Sequence, residues 1–188
     1  MFTDKMPDVM SAKQLTIYRA KPGKPVVGIQ AGSPVRTLSH WYRGRTLPCL
    51  ATESEKCPLC LAGIDVRYYA YYPIRSAKGN GAIVELTATA EAELEDHLRT
   101  MPEESIPILK IYRAAGKKNN PVHCDCEFKP CSRDERLAFE RVKIDRDLIR
   151  RSLTRLWNLP TWPEEMNLED FTDIARKHIE QVLKGNIE

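Results

Sequence analysis

Four side chains in the first third of the chain have the types and spacing of a metal site. His40 and Cys49 bracket the string His-Trp-Tyr-Arg-Gly-Arg-Thr-Leu-Pro-Cys, and Cys57-Pro-Leu-Cys60 follows. One imidazole and three thiols thus fall within twenty-one residues. Zinc is held by thiolate sulfur and imidazole nitrogen, four to an ion in a structural site. A Cys-x-x-Cys turn aims two sulfurs at one ion, and His40 and Cys49 complete the set. Four protein ligands leave no position for water, so the expected role is structural, not catalytic.

Two other chemistries use part of this pattern. A redox dithiol needs Cys-x-x-Cys alone and leaves Cys49 and His40 unexplained. A zinc deaminase needs His-x-Glu for proton transfer, whereas His40 is followed by Trp41 and Tyr42. A second group, His123, Cys124, Cys126 and Cys131, offers another metal. If residues 122 to 128 form a strand, Cys124 and Cys126 share one face and His123 the other. That alternation favours a pair of core thiols over a second zinc.

Aromatic and basic residues gather beside the first group. In Ile64 to Arg75, period-two alternation puts Val66, Tyr68, Ala70, Tyr72 and Ile74 on one face and Arg67, Tyr69, Tyr71 and Arg75 on the other. The first set reads as core. The second has the make-up of a platform on which bases stack between charged phosphates, at about 1–3 kcal/mol per base. Lys110 and Tyr112 repeat the theme on a later strand, with Lys117 and Lys118 in the turn after it. Trp41, Tyr42, Arg43 and Arg45 lie inside the cysteine loop. Taken one at a time, these rings and cations are equally well read as ordinary strand tyrosines with cation–π neighbours; the expectation rests on their convergence.

The elements that position these residues follow from pattern. Residues 1 to 25 hold at most one short strand, at Leu15 to Arg19, while Val26 to Ile29 and Val35 to His40 read as strands separated by Gly32-Ser33-Pro34. The cysteine segment 40–60 reads as an irregular loop. The strong strand to Arg75, the turn Lys78-Gly-Asn-Gly81 and the strand Ala82 to Leu86 form a hairpin. Thr87 or Thr89 caps a helix to about Thr100. Ile106 to Arg113 and Val122 to Phe128 are strands, and residues 129 to 143 have no clear pattern. Ile144 to Trp157 is helical up to Pro160, and Asn167 caps a last helix that ends before Gly185. A helix after the third of five antiparallel strands is the order of a small Greek-key barrel of the OB type. The expected fold is therefore mainly β with α: a five-stranded OB-like barrel at 26–143 with an inserted zinc loop at 40–60, a flexible basic arm at 1–25 and a C-terminal helical extension at 144–188.

Composition limits the field. The chain has 188 residues, 42% hydrophobic, with formal net charge +3, so nucleic-acid binding must rest on charge distribution and not on total charge. Residues 12 to 45 hold seven basic and no acidic side chains, while 163 to 188 are mildly acidic. No apolar run reaches the roughly twenty residues of a membrane span, and Met1 to Gln14 lacks an apolar signal segment. The expected location is the cytoplasm, where six cysteines favour metal ligation over disulfides.

His40, Cys49, Cys57 and Cys60, in this order and of these types, resemble the zinc module of the OB-fold single-stranded DNA-binding proteins of the bacteriophage T4 type. The resemblance spans about residues 26 to 128. It implies one structural zinc, no enzymatic activity, and coating of exposed single-stranded DNA in replication, recombination or repair, for a phage or other mobile element in a bacterial or phage-infected cell. It also implies replication or recombination partners on the acidic C-terminal helix. The main alternative is a zinc-ribbon adaptor that binds another protein and no nucleic acid; a nuclease is disfavoured because no carboxylate cluster accompanies the cysteines.

Overall fold

A computed structural model describes residues 15–52, 55–76, 78–116, 120–141, 143–157 and 168–185. The chain folds as a mixed α/β protein, mostly sheet. Eight strands and five helices lie among the described residues. In chain order they are β1 (Thr16–Tyr18), β2 (Val26–Gln30), β3 (Val35–Tyr42), β4 (Arg45–Pro48), α1 (Pro58–Leu61), β5 (Val66–Arg75), β6 (Gly81–Leu86), α2 (Ala88–Arg99), β7 (Ser105–Arg113), β8 (Val122–Pro130), α3 (Arg133–Arg141), α4 (Arg146–Leu156) and α5 (Leu168–Leu183).

All eight strands belong to one open sheet with the order β1-β6-β5-β2-β7-β8, and β3 joins it by pairing with β5 and β4. Gly32-Ser33-Pro34 interrupts an otherwise extended path from Val26 to Tyr42. Before the break, β2 pairs with β7 and the end of β5; after it, β3 pairs with the first half of β5. Gly28 permits the close approach of β2 to β5, because a Cβ there would sit 3.0 Å from the Ile74 Cβ.

Among the described residues β6 and β8 do not pair with each other. β1 lies parallel along the outer edge of β6, and Pro22 bridges to Arg113 at the end of β7. At β8, Glu93 of α2 accepts hydrogen bonds from the Cys124 amide and His123 Nδ1, each at 2.8 Å. The expected arm at 1–25 is thus in part a sheet component: residues 15–24 are docked, and Leu15 N–H donates to Ser152 Oγ at 2.9 Å. Residues 1–14, Lys13 among them, lie outside the described residues.

The middle of the sheet is buried on both sides. One apolar cluster joins Ala70, Tyr72, Ile74, Val84 and Leu86 to Ala90 and Leu94 of α2 and to Leu109, Ile111 and Cys124. The other joins Val35, Leu47, Leu59, Tyr71 and Ile83 to Ile144, Ile149, Leu153, Ala175 and Ile179. This second layer corrects the expectation for Tyr71. Its ring is fully buried, because residues 144–153 cover that part of β5, and its hydroxyl donates to Glu85 at 3.2 Å. A ring inside a core cannot stack on a base. A strand covered on both faces carries apolar residues continuously, which is why Tyr71 and Tyr72 stand side by side.

The first layer holds one buried charge. Glu91, in the first turn of α2, accepts from Arg36 Nε at 2.8 Å, from the Tyr72 hydroxyl at 3.1 Å and from the Tyr68 hydroxyl. Three donors offset the desolvation of the carboxylate. Burial, then the Glu91 contact, pushes the Tyr68 phenol up to about 12.

Thr87 caps α2 as expected, its side chain accepting from Ala90 N–H. Three short elements lie where an irregular loop or no clear pattern is expected. β4 and α1 occupy the cysteine segment. α3 occupies 133–141, held by a capping box in which Ser132 Oγ accepts from Glu135 N–H at 3.2 Å and Glu135 accepts from Ser132 N–H at 2.8 Å. Asn167, the expected cap of α5, and Pro160 lie outside the described residues.

Candidate metal centre and the surface beside it

A tight hairpin carries two of the four ligands. β3 turns into β4 through Arg43 and Gly44, with φ of 48° and 78°. Positive φ at both positions is the two-residue turn that matches strand twist, and glycine accepts it without penalty. The register pairs His40 with Leu47 and Ser39 with Pro48, and Cys49 N–H donates to the Leu38 carbonyl at 2.8 Å. Cys49 therefore leaves the hairpin beside His40. The other two ligands share one helical turn: Cys57 stands at the N-cap of α1 and Pro58 opens the helix, a place where its fixed φ and missing N–H cost nothing.

The four ligating atoms all lie within 4.8 Å of one another, the only such group among the described residues. Cys49 Sγ to Cys60 Sγ is 3.7 Å, Cys57 Sγ to His40 Nε2 is 3.7 Å and Cys60 Sγ to His40 Nε2 is 3.6 Å. A tetrahedron with zinc bond lengths has sulfur–sulfur edges of about 3.8 Å and sulfur–nitrogen edges of about 3.6 Å. The donor set therefore fits a zinc ion. His40 Nδ1 lies 3.0 Å from the Ile64 carbonyl. A proton held there leaves the Nε2 lone pair facing the thiols, the usual outer partner of a ligating histidine.

The thiols differ in their surroundings. His40 and Cys57 are buried, Cys49 and Cys60 half-buried. Burial pushes Cys49 up to about 11. Burial acts the same way on Cys57, but the amides of Leu50, Cys60 and Leu59 outweigh it and hold that thiol below its ordinary value. Backbone donors thus favour a thiolate at the most buried ligand. Around it, Leu47, Leu50 and Leu59 form an apolar jacket with Ala175, Ile179 and Val182 of α5, and Arg176 pairs with Glu55.

His123, Cys124, Cys126 and Cys131 do not converge. Cys124 and Cys126 face the inner core, whereas His123 sits on the opposite side, bonded to Glu93 and 5.6 Å from the Tyr112 ring. Burial pushes Cys124 up to about 12 and Cys126 up to about 11, as for thiols that stay protonated.

The expected aromatic and basic stripe divides into parts. The register sets Ser39 beside Arg67 and Thr37 beside Tyr69, and alternation puts Trp41 on that same side of β3. Trp41 is 47% exposed, Arg67 exposed and Tyr69 half-buried. Arg19, which the sequence reading did not single out, joins them from β1. It pairs with Glu85 at 3.0 Å and donates to Thr46 Oγ1 at 3.5 Å. The signal for it was its place at the end of the Leu15 to Arg19 strand. Arg43 lies 5.3 Å from the ring centre of Tyr42 at the hairpin tip. Arg45 is half-buried there, its charge acting on His178 of α5. Arg75 is drawn into its own turn, donating to the Gly79 carbonyl at 2.8 Å. Lys110 and Tyr112, 5.9 Å apart, lie with His123 on β7 and β8. Lys117 and Lys118 lie outside the described residues.

No known protein family matches the sequence, and neither a curated protein nor a solved structure matches it. Fold and site together define a small α/β protein, mostly sheet, with a candidate metal centre of one histidine and three cysteines. No helix among the described residues is long and apolar enough to cross a membrane.

Proposed function

We propose that this chain is a non-enzymatic single-stranded DNA-binding protein whose structural zinc holds the β3–β4 hairpin in place as part of the binding surface. The observation that carries the reading is the exposed Trp41, one residue from the buried ligand His40, on the same side of the sheet as Arg67 and Tyr69. Rings that lie flat against bases, next to cations that release counterions from phosphate, are what sequence-tolerant strand binding requires. The strand order supports an OB-like framework. β6, β5, the β2–β3 path, β7 and β8 run in the order of a five-strand OB barrel, with α2 between the third and fourth strands. Coating of DNA in replication, recombination or repair, a phage or mobile-element setting, and partners on α5 belong to the same proposal and rest on the family resemblance.

One observation favours the adaptor reading. Leu38 and Val66, on the other side of the same two strands, are 48% and 45% exposed, and Leu61 of α1 is 68% exposed. Titration of fluorescein-labelled single strands and matched duplex at two salt concentrations separates the readings. Single-strand preference with a steep loss at higher salt supports DNA binding. No saturable strand binding at low salt, with the zinc present, would overturn it.

A further inference from the structure

Arg19 follows β1 and reaches the hairpin from across the sheet. β1 runs parallel to β6 with Tyr18 opposite Val84, which sets Arg19 beside Glu85. The Glu85 side chain is 11% exposed, and its Oε2 accepts from Arg19 Nε and Nη2, each at 3.0 Å. The same oxygen accepts from the Tyr71 hydroxyl at 3.2 Å. Arg19 Nη2 also donates to Thr46 Oγ1 at 3.5 Å. One edge of the guanidinium is thus held on two sides. Nη1, with two of the five N–H donors of a guanidinium, has no partner among the described residues. The side chain is 43% exposed.

The backbone behind Arg19 is tied at both ends. Leu15 N–H donates to Ser152 Oγ, and beyond Arg19 a turn pairs Lys21 with Lys24 and bridges Pro22 to Arg113. Neutralising Glu85 needs only a point charge, which a lysine supplies. A planar fork that grips the carboxylate with one edge and keeps donors on another does more. Its rotamer is fixed in advance, so little side-chain entropy is lost on binding.

The position of this fork is specific. Thr46 is the cross-strand partner of Trp41, so their side chains share a face with Cβ atoms about 4.5–5.5 Å apart. On its other side the Arg19 charge acts on the phenol groups of Tyr71 and Tyr69. Arg19 therefore stands between the two rings proposed to carry bases.

We propose that Arg19 is the phosphate anchor of this surface, its Nη1 donating to one phosphodiester of the backbone as the strand passes from Trp41 to Tyr69. The inference rests on the strand-binding reading and deepens it, because it names the group that is fixed at one place. Glu85 offsets the charge of Arg19, so the anchor acts through oriented donors to an anionic oxygen. The exposed Arg43 and Arg67 supply the unspecific attraction.

The test is an NMR titration of the zinc-loaded full chain at low salt with pentathymidylate, natural or with one linkage at a time replaced by an uncharged methylphosphonate. One linkage should stand out, its replacement weakening binding about tenfold, as for loss of a hydrogen bond to a charged group. The natural strand should shift the Arg19 Nε–H resonance, and replacing that linkage should remove the shift. Arg19→Lys keeps a charge beside Glu85 and should unfold at nearly the wild-type temperature. It should bind the natural strand about tenfold more weakly and be indifferent to that linkage. If this variant does not fold, the linkage scan and the Arg19 resonance decide alone. Equal losses at every linkage, or full affinity in Arg19→Lys, would overturn the anchor, and binding that still depends on Trp41 would leave the strand reading standing. No saturable binding of the natural strand overturns both together.

Discussion

Residues His40 to Cys60 and residues His123 to Cys131 carry the same inventory, one imidazole and three thiols each, and the fold treats them oppositely. The first set lies on a hairpin and a single helical turn, two devices that reverse direction within a few residues and bring side chains back to a point. The second set begins on the straight strand β8, where alternation sends His123 outward and Cys124 and Cys126 inward. Composition is equal; backbone geometry decides whether a metal can be held. The same contrast runs through the electrostatics. Amides around Cys57 favour its thiolate, while burial first, then the charges of Cys126, Asp125 and Glu93, push the Cys124 thiol up to about 12.

The hairpin end brings together a ligand set that could hold an ion, and under the proposed reading it depends on that ion, whereas the β7–β8 end depends on packing. Cys57→Ser should break the first. It should remove zinc and unfold the hairpin and α1, the largest effect expected for any single change, because structural zinc binding contributes directly to folding free energy. Cys124→Ala should leave metal content untouched and cost only the loss of a small buried side chain. Metal analysis and thermal unfolding of both variants check the pair. Retention of zinc by the Cys57 variant would contradict the ligand assignment.

Tyr71 lies where the sheet is covered from the hairpin side by residues 144–153. Tyr71→Ala should destabilise the chain by about 3–5 kcal/mol, as for other large buried rings, measured by denaturant unfolding. A loss of strand affinity with stability unchanged would return that ring to the surface.

The two ends also differ in the rings they expose. Trp41→Ala together with Tyr69→Ala should lower oligonucleotide affinity tenfold or more, by loss of stacking worth about 1–3 kcal/mol per base. Lys110→Ala with Tyr112→Ala should lower it less, because Tyr112 is already engaged by His123 and Lys110. Equal losses in an anisotropy titration would show one continuous track in place of a dominant hairpin end.

The smallest effect concerns the Glu93 link between α2 and β8. Burial opposes ionisation of Glu93, but His123 and the Cys124 amide outweigh it and hold the carboxyl below its ordinary value. A depressed folded pKa means that the contribution is present above the unfolded pKa and lost as pH falls through the folded one. Stability should therefore decline on acidification below about pH 4.3, and Glu93→Gln should reduce that slope. An identical acid profile in the variant would remove Glu93 from the account.

How much of this is legible in the sequence depends on how far apart the interacting residues lie. The ligand set is legible because its geometry is made within twenty-one residues. β5, β6, α2, β7 and β8 are legible because their apolar periods are long and their turns marked. Tyr71 is not legible, since its cover comes from Ile149 and Leu153, remote in the chain. Period-two reasoning assumes that one face meets water, and in the stretch Ala70 to Ile74 neither does. The Arg43-Gly44 turn and the Ser132–Glu135 capping box were both written in the chain, but four strand residues and nine charged-rich helical ones give too short a pattern to stand out. The placement of β1 along β6 depends on partners far away and has no local signature.

The most direct test of the metal centre is the zinc content of the chain by native mass spectrometry. The account predicts one zinc ion per chain in the wild type and in a Cys124→Ala, Cys126→Ala variant, and none in Cys57→Ser. Two ions in the wild type, or one ion lost only when Cys124 and Cys126 are replaced, would contradict it.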